Sequence, residues 1–463
     1  MVVKNPKVSA ESRTVTFREA FWVWTKIALL SFGGPAGQIA VMHRILVEQK
    51  RWISENRFLH ALNFCMLLPG PEAQQLAIYI GWMLHRFLGG LVAGILFVIP
   101  GFVSILALSF IYVTYQDVDI VEGLFFGLQA AVVAVVVEAV IRIGRRALKN
   151  YVMASIAALS FIAIFFFAIP FPLIVLTAGV IGYAGGKIWE EWFYVIKPSA
   201  IPVAGEKPNE GPIFRDEIVA QSRPPVSHTL RTASIFLTLW LGPLAILVAI
   251  LGAGHIFVTQ GVFFSQTATV TFGGAYAVLA YITQRAVETY GWLQPGEMLD
   301  GLGMAETTPG PLIQVVQFVG FMGAYRNPGT LDPLVAGIIG SIVVTWVTFI
   351  PCFLWIFVGA PYIEYLRGNK SLSTALSGIT AAVVGVVLNL AVWFFLHTAF
   401  EILNERHAFG MRLLVPEWGT VDAASIIIAA VAFVAMIRFK VDMLAALAAA
   451  AGSGLVYHLM FGT

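Results

Sequence analysis

Phe32-Gly33-Gly34-Pro35, followed by Leu68-Pro69-Gly70-Pro71-Glu72-Ala73-Gln74-Gln75, decides the fold, because the chain writes this pattern twice. Phe32-Gly33-Gly34 returns as Phe272-Gly273-Gly274, Trp52 as Trp292, and Pro69-Gly70-Pro71 as Pro309-Gly310-Pro311, all at an offset of 240. Glu48 and Glu288, and Gln74 and Gln314, keep that offset. Further along it drifts to 251, where Ala130-Ala131-Val132-Val133 meets Ala381-Ala382-Val383-Val384. A long apolar chain in two homologous halves, with helix-breaking residues inside the hydrophobic stretches of each, has the sequence pattern of a secondary transporter.

Composition agrees with a membrane protein. Of 463 residues, 59% are hydrophobic and 12% charged, against roughly 25% charged in an ordinary globular protein. A bilayer crossing needs about 20 apolar residues, and windows such as 89–111, 123–141, 151–169, 233–251 and 424–437 are apolar enough to supply them. The lipid bilayer is therefore an expected partner. A net charge of +2 gives no reason to expect nucleic acid. Cys65 and Cys352 both fall in apolar segments and read as packing residues. There is no G-x-x-x-x-G-K-[ST] phosphate loop and no H-E-x-x-H. An intramembrane enzyme would need a nucleophile with its base, or a metal set, and the apolar segments hold neither. No catalysis, cofactor or metal is expected.

Five stretches follow along the chain. Residues 1–16 are polar and lack the short charged start of a cleavable signal, so the first apolar segment is expected to stay in the membrane. Residues 17–197 form the first repeat, 198–231 a polar linker rich in Pro, Glu, Arg and Ser, 232–253 an extra transmembrane helix, and 254–463 the second repeat. The extra crossing has no counterpart, and one unpaired crossing between two homologous units turns the second one over. Lys/Arg placement gives the same answer. Arg142, Arg145, Arg146 and Lys149 mark a cytoplasmic loop, whereas its counterpart, 397–422, carries Glu401, Glu405, Glu417 and Asp422 against Arg406 and Arg412. Asp117, Asp119 and Glu122 stand opposite Arg367 and Lys370. The uncharged turn at Pro170-Phe171-Pro172 stands opposite Arg438 and Lys440. The expected fold is an all-α polytopic membrane protein of two inverted repeats with broken or re-entrant helical hairpins. Its N-terminus and linker lie in the cytoplasm and its C-terminus outside.

The breaks carry the chemistry. Gly33-Gly34-Pro35 combines residues that permit a tight reversal with one pre-set for the start of a helix. A helix starting there leaves N–H groups unpaired, expected on Ala36, Gly37 and Gln38, and presents its positive dipole end as an anion cradle. Gly70-Pro71 does the same for a half-helix beginning at Glu72, with Gly273, Gly274, Ala275, Gly310 and Pro311 as the second-repeat forms. Four such N-termini converging near the bilayer midplane would make a substrate site. A single Pro or Gly kink is common in membrane helices and needs no function. Duplication at fixed spacing is what argues for one here.

Side chains near the breaks add candidates. Gln74, Gln75 and Gln314 are amides at lipid depth that must hydrogen-bond something, substrate or neighbouring helix. Arg44 is a candidate anion partner, as are His43, Lys26 and Arg285, although long basic side chains also snorkel to the interface. Glu72 and Glu306, beside the Pro-Gly-Pro breaks, are candidates for proton coupling, with helix capping as the plainer role. Glu48 and Glu288 each precede a tryptophan by four residues, and Trp52 and Trp292 suit the membrane interface.

At these residues the chain resembles the chromate transporter family. The resemblance rests on Phe32-Gly33-Gly34-Pro35, on Leu68-Pro69-Gly70-Pro71-Glu72-Ala73-Gln74-Gln75-Leu76-Ala77 with Tyr79-Ile80-Gly81-Trp82, and on Thr271-Phe272-Gly273-Gly274 and Glu306-Thr307-Thr308-Pro309-Gly310-Pro311. It covers nearly the whole chain apart from the linker and matches the long, two-domain type. It implies export of chromate across the inner membrane and chromate resistance, with sulfate as the structurally similar dianion. A carrier for sulfate or a related oxyanion, working in uptake or exchange, is the alternative, and a homodimer is a further expectation. The second glycine pair departs from the pattern, having Ala275 where Pro35 stands.

Overall fold

The computed structural model describes residues 15–115, 118–195, 225–272, 274–362 and 370–461. Gly273, Arg367, Asp117, the first 14 residues and most of the polar linker lie outside the described residues. The chain is a polytopic, almost wholly helical membrane protein. Among the described residues, seven helices are long and apolar enough to cross a bilayer.

The first half opens with α1 (Phe17–Leu30), α2 (Gly34–His43), a π-helical turn at Arg44–Gln49 and α3 (Glu55–Cys65). Side-chain caps set the starts: Thr16 accepts from Glu19 N–H for α1, and Ser54 from Arg57 N–H for α3. Then come α4 (Glu72–Tyr115), α5 (Asp119–Ala147), α6 (Tyr151–Phe167), α7 (Phe171–Ile188) and the single turn α8 (Glu190–Phe193). The unpaired helix α9 (Val226–Leu251) follows, beginning at Val226, inside the stretch that reads as linker. The second half repeats the opening as α10 (Ile256–Val270), α11 (Ala275–Thr283), a matched π-helical turn at Gln284–Thr289 and α12 (Pro295–Thr307). It continues with α13 (Val315–Arg326), α14 (Pro333–Gly359), α15 (Lys370–Ala399), the strands β1 (Leu403–Ala408) and β2 (Met411–Pro416), α16 (Ala423–Arg438) and α17 (Met443–Phe461).

The drift of the repeat offset has a structural cause. His85 and Arg86 leave helical torsions inside α4, with Arg86 at φ 53°, so that helix folds back as a hairpin. Its arms touch at glycines: a methyl on Gly81 would lie 2.5 Å from the carbonyl oxygen of Gly89. The second half makes the same contact between α13 and α14, where a methyl on Gly340 would lie 2.5 Å from Gly320 O. Gly81 and Gly320 are 239 apart, and Gly89 and Gly340 are 251 apart, so 12 residues are inserted in the second turn.

Each half also packs its helices into the other. Helix α5 lies against α16 and α17 of the second half, and α15 lies against α6 and α7 of the first. Small residues allow this: a methyl on Gly454 would sit 2.5 Å from Gly127 Cα, and one on Gly378 would sit 3.0 Å from Gly182 Cα.

Two features depart from the sequence expectation. Residues 397–422 hold a β-hairpin, tightened by Phe409 and Gly410 at φ 54° and 74°. Trp52 and Trp292 are buried in the protein, at 2% and 3% exposure, and do not face outward as lipid-interface anchors would. Trp292 stacks on Tyr290 with ring centroids 4.3 Å apart.

Candidate functional site

The breaks meet across the two halves. Gly70 N–H donates to Thr271 O (2.8 Å), and Gly310 N–H donates to Ser31 O (2.9 Å). Positions 70 and 310, and 31 and 271, are each 240 apart, so each Pro-Gly-Pro loop is pinned by the glycine break of the other repeat. Reciprocal contacts of this kind are the mark of a two-fold interface. The acceptor ends are also built alike: Ser31 Oγ donates to Ile27 O (2.6 Å) and Thr271 Oγ1 to Thr267 O (2.7 Å). Gly70 and Gly310 have φ of 124° and 112°, torsions that exclude ordinary side chains.

Prolines inside two long helices face these loops. Pro100 of α4 and Pro351 of α14 are matched positions, each followed by the residue that touches a break. A methyl on Gly101 would approach Pro309 O to 2.8 Å, and one on Gly70 would approach Cys352 Sγ to 3.0 Å. Cys352 is thus a packing residue against the first loop.

Helix α2 begins at Gly34, with Gly33 as its left-handed cap at φ 82°. Gly37 N–H donates to Gly33 O (3.3 Å), so it is not an unpaired donor. Pro35 has no N–H, which leaves Gly34 and Ala36 as the donors of this N-terminus. Ala36 is exposed, and Gly33 and Pro35 are half-buried. In the second half, α11 begins at Ala275 after Gly274 at φ 100°.

The amides divide into two kinds. Gln38 Nε2 donates to Gly310 O (2.5 Å) and Gln75 Nε2 to Pro69 O (2.7 Å), so both hold the Pro-Gly-Pro loops, although Gln75 Oε1 is left without a partner. Gln314 Nε2 donates to Gln317 Oε1 (2.6 Å), which leaves Gln314 Oε1 buried and unpartnered. Gln74 is wholly buried, and neither its Oε1 nor its Nε2 has a partner. A buried amide left this way costs about 1–3 kcal/mol, so proteins rarely keep one without a use.

The carboxylates are placed unequally. Glu306 is fully buried, with Oε1 accepting from the Tyr276 hydroxyl (2.5 Å) and Oε2 unpartnered. A methyl on Gly34 would lie 3.6 Å from Glu306 Oε2 and 3.7 Å from Tyr276 Oη, so this pair stands over the first glycine break. Glu72 is only half-buried, at the first residue of α4. Arg142, bridged to Glu138 (3.3 Å), lies within electrostatic reach of Glu306, and Arg146 within reach of Glu72. These arginines sit in the last turns of α5 instead of in a loop, where they also suit its C-terminal dipole.

The other basic candidates are not gathered at the breaks. Arg44 stands at the far end of α2, about 15 Å along the axis from Gly33. Lys26 is exposed. His43 bonds Glu55 (2.5 Å) and approaches Glu48 (3.2 Å). Arg285 lines a separate cavity of about 500 Å³ beside the β-hairpin, with Glu288, Glu405, His407 and Arg412. There Arg412 grips Glu288 through both terminal nitrogens (2.8 and 2.7 Å).

Sequence reading met Tyr276 only within the motif that carries the family resemblance and gave it no role; in the structure it follows the glycine break and completes the Glu306 pair. Sequence reading also missed Asp300 of α12, buried between Tyr112 and Gln129. Neither has an equivalent at the matched position of the first half, so the three-dimensional contacts reveal their roles.

Comparison with known proteins follows the same two blocks. The chromate transporter family model matches residues 18–183 and 258–455. A chromate transport protein of Pseudomonas aeruginosa is 32% identical over 379 residues, covering 81% of this chain and 80% of the relative. A chromate transport protein of Cupriavidus metallidurans is 27% identical over 382 residues, 82% of each chain. A probable chromate transport protein of Synechococcus elongatus is 26% identical over 369 residues, 79% of this chain and 81% of the relative. No solved structure matches the chain significantly. Two family-matched halves and relatives covered over four-fifths of their length place this chain in the chromate transporter family.

Proposed function

We propose that the chain is a secondary transporter that exports chromate across the cytoplasmic membrane and confers chromate resistance. The anion binds where the half-helix N-termini of the two repeats approach each other, and the repeats alternate access to it. The reciprocal pairing of Gly70 with Thr271 and Gly310 with Ser31 is the observation that carries this reading. It joins the four helix breaks in two crossed pairs, with the unpartnered Gln74 amide and Glu306 oxygen next to them in the chain. Half-helix N-termini of discontinuous helices are where transporters hold anionic groups.

Inverted topology follows in the same reading. If the break hairpins return to the side they enter, the crossings before the second repeat are the long arm of α4, α5, α6, α7 and α9. In this reading that odd number turns the second repeat over, and the basic last turn of α5 argues for a cytoplasmic N-terminus. Export suits the energetics. One charge crossing 100 mV gains about 2.3 kcal/mol, so a dianion leaving a negative-inside cell gains about 4.6 kcal/mol, more than a thousandfold in concentration. Uptake of the same dianion would need a coupling ion.

The test is radiolabelled chromate flux in everted membrane vesicles, with potential set by ionophore and sulfate in excess. Potential-dependent accumulation with weak sulfate competition is expected, and Gly33→Leu is expected to abolish it while leaving membrane insertion intact. Flux abolished by modest sulfate identifies a general oxyanion carrier. Normal flux in both Gly33→Leu and Gly273→Leu sinks the glycine cradle.

A further inference from the structure

Asp300 is 4% exposed within α12, and no cation pairs with it among the described residues. Its Oδ2 accepts from the Tyr112 hydroxyl (2.8 Å) and its Oδ1 from Gln129 Nε2 (2.8 Å). Both donors are uncharged. One belongs to α4 and the other to α5, so the carboxyl ties three helices together.

Its neighbour on the same helix is handled differently. Glu297 is gripped by Arg326 of α13 through two nitrogens (2.8 and 2.5 Å). Several charged groups on other elements packed against α12 also have their own partners. On α5, Arg142 pairs with Glu138 (3.3 Å), and Glu122 faces His458 of α17 (3.8 Å). On α15, Lys370 pairs with Glu190 (2.6 Å), and His397 bonds the Trp393 carbonyl (2.9 Å). Asp300 is thus left with neutral hydrogen-bond partners, and Glu297, three residues away on the same helix, is already paired.

A buried carboxyl in neutral company avoids an uncompensated charge by holding a proton. Ionisable groups inside a transporter bundle are where proton relays are found. Asp300 also lies six residues before Glu306 on α12, about 9 Å along the axis. A negative Asp300 repels a dianion held at the Gly34 break, and a neutral one does not.

We propose that Asp300 couples a proton to the anion: it is protonated while the oxyanion occupies the break and releases the proton where the anion leaves. This rests on the oxyanion-transport reading above. The step moves one proton and breaks no other bond. A proton from water on the loading side becomes the O–H of Asp300. On the release side it returns to water, and the carboxylate keeps the hydrogen bonds from Tyr112 and Gln129.

The experiment uses the purified full chain in liposomes, radiolabelled chromate, and a potential clamped at zero with potassium and valinomycin. An imposed pH gradient is expected to drive several-fold accumulation by the wild-type protein. Asp300→Asn keeps the shape and much of the hydrogen bonding. It is expected to lose that response yet still carry chromate under an imposed potential, and Asp300→Glu to regain it. Tyr112→Phe is expected to displace the pH of half-maximal flux by roughly half a unit to one unit. An unchanged pH-gradient response in Asp300→Asn overturns the proposal and leaves oxyanion transport standing. So does a wild-type protein that carries chromate under potential but ignores a pH gradient. Absence of chromate and sulfate flux under every gradient overturns the transport reading instead. Infrared difference spectra on pH titration give a readout independent of flux. A titrating carboxylic C=O band present in wild type and missing from Asp300→Asn is expected, and identical spectra overturn the proposal by themselves.

Discussion

Gln74 separates stability from function at a single side chain. Its amide is buried with no partner, so it destabilises the chain that carries it. Gln74→Leu is expected to raise stability by about 1–3 kcal/mol, seen as a higher melting temperature in detergent, while chromate flux falls. A purely structural glutamine gives the opposite pattern in at least one of the two measurements. Gly310 offers a complementary case. With φ at 112° and Gly101 Cα 3.0 Å from where a methyl would sit, Gly310→Ala is expected to lower stability by about 1–3 kcal/mol and to abolish flux. Wild-type thermal stability in Gly310→Ala would show that the loop relaxes and that its glycine is not required.

Between helices, the tight glycine crossings set the tolerance. In the arms of α4, a methyl on Gly89 would lie 2.2 Å from Gly81 O. Gly89→Ala is therefore expected to lower the melting temperature by an amount equivalent to about 1–3 kcal/mol. The β-hairpin behaves as a separate element. Its hydrogen bonds to Glu288 hold the Arg412 guanidinium above its ordinary range, so docking persists through neutral and alkaline pH. The tip at Phe409 is already exposed, so Arg412→Leu is expected to speed limited proteolysis there by loosening the hairpin, at a stability change of about 1 kcal/mol or less, since the pair is partly solvated.

These elements show what a single chain can reveal. The breaks are legible because Gly33-Gly34, Pro69-Gly70-Pro71 and their copies are rare chemistry inside apolar runs. The helices between them are legible from composition alone. The hairpin at Leu403–Pro416 is not, because its strands are short and mixed in polarity, and the turn is Phe-Gly instead of Asn-Gly. Asp300 is not legible either. Its meaning comes from Tyr112, 188 residues away, and from having no arginine paired with it among the described residues. Arg44 misleads for the opposite reason: closeness to Gly33 in sequence becomes a full helix length in space.

For the whole molecule, the charge moved per cycle discriminates the mechanisms. A dianion leaving alone is expected to give an accumulation ratio rising by roughly 3.4 decades per 100 mV, and a dianion carrying one proton by roughly 1.7 decades. Measuring that slope at fixed pH in vesicles distinguishes the two without any mutation, and a slope near 3.4 decades rules out the single-proton cycle.

The crossed hydrogen bonds at the breaks bear on how such a protein can be made. Gly70 finds its acceptor only in the second half, and Gly310 finds its acceptor only in the first. With the breaks at membrane depth, as proposed, a half synthesised alone would bury one orphan donor and one orphan acceptor where water cannot rescue them. Two polypeptides split between residues 195 and 225 are therefore expected to be degraded singly and to accumulate when co-expressed. The same logic means that fusing two half-length genes into one adds no new contact. It only guarantees that each half is born beside the partner that completes it.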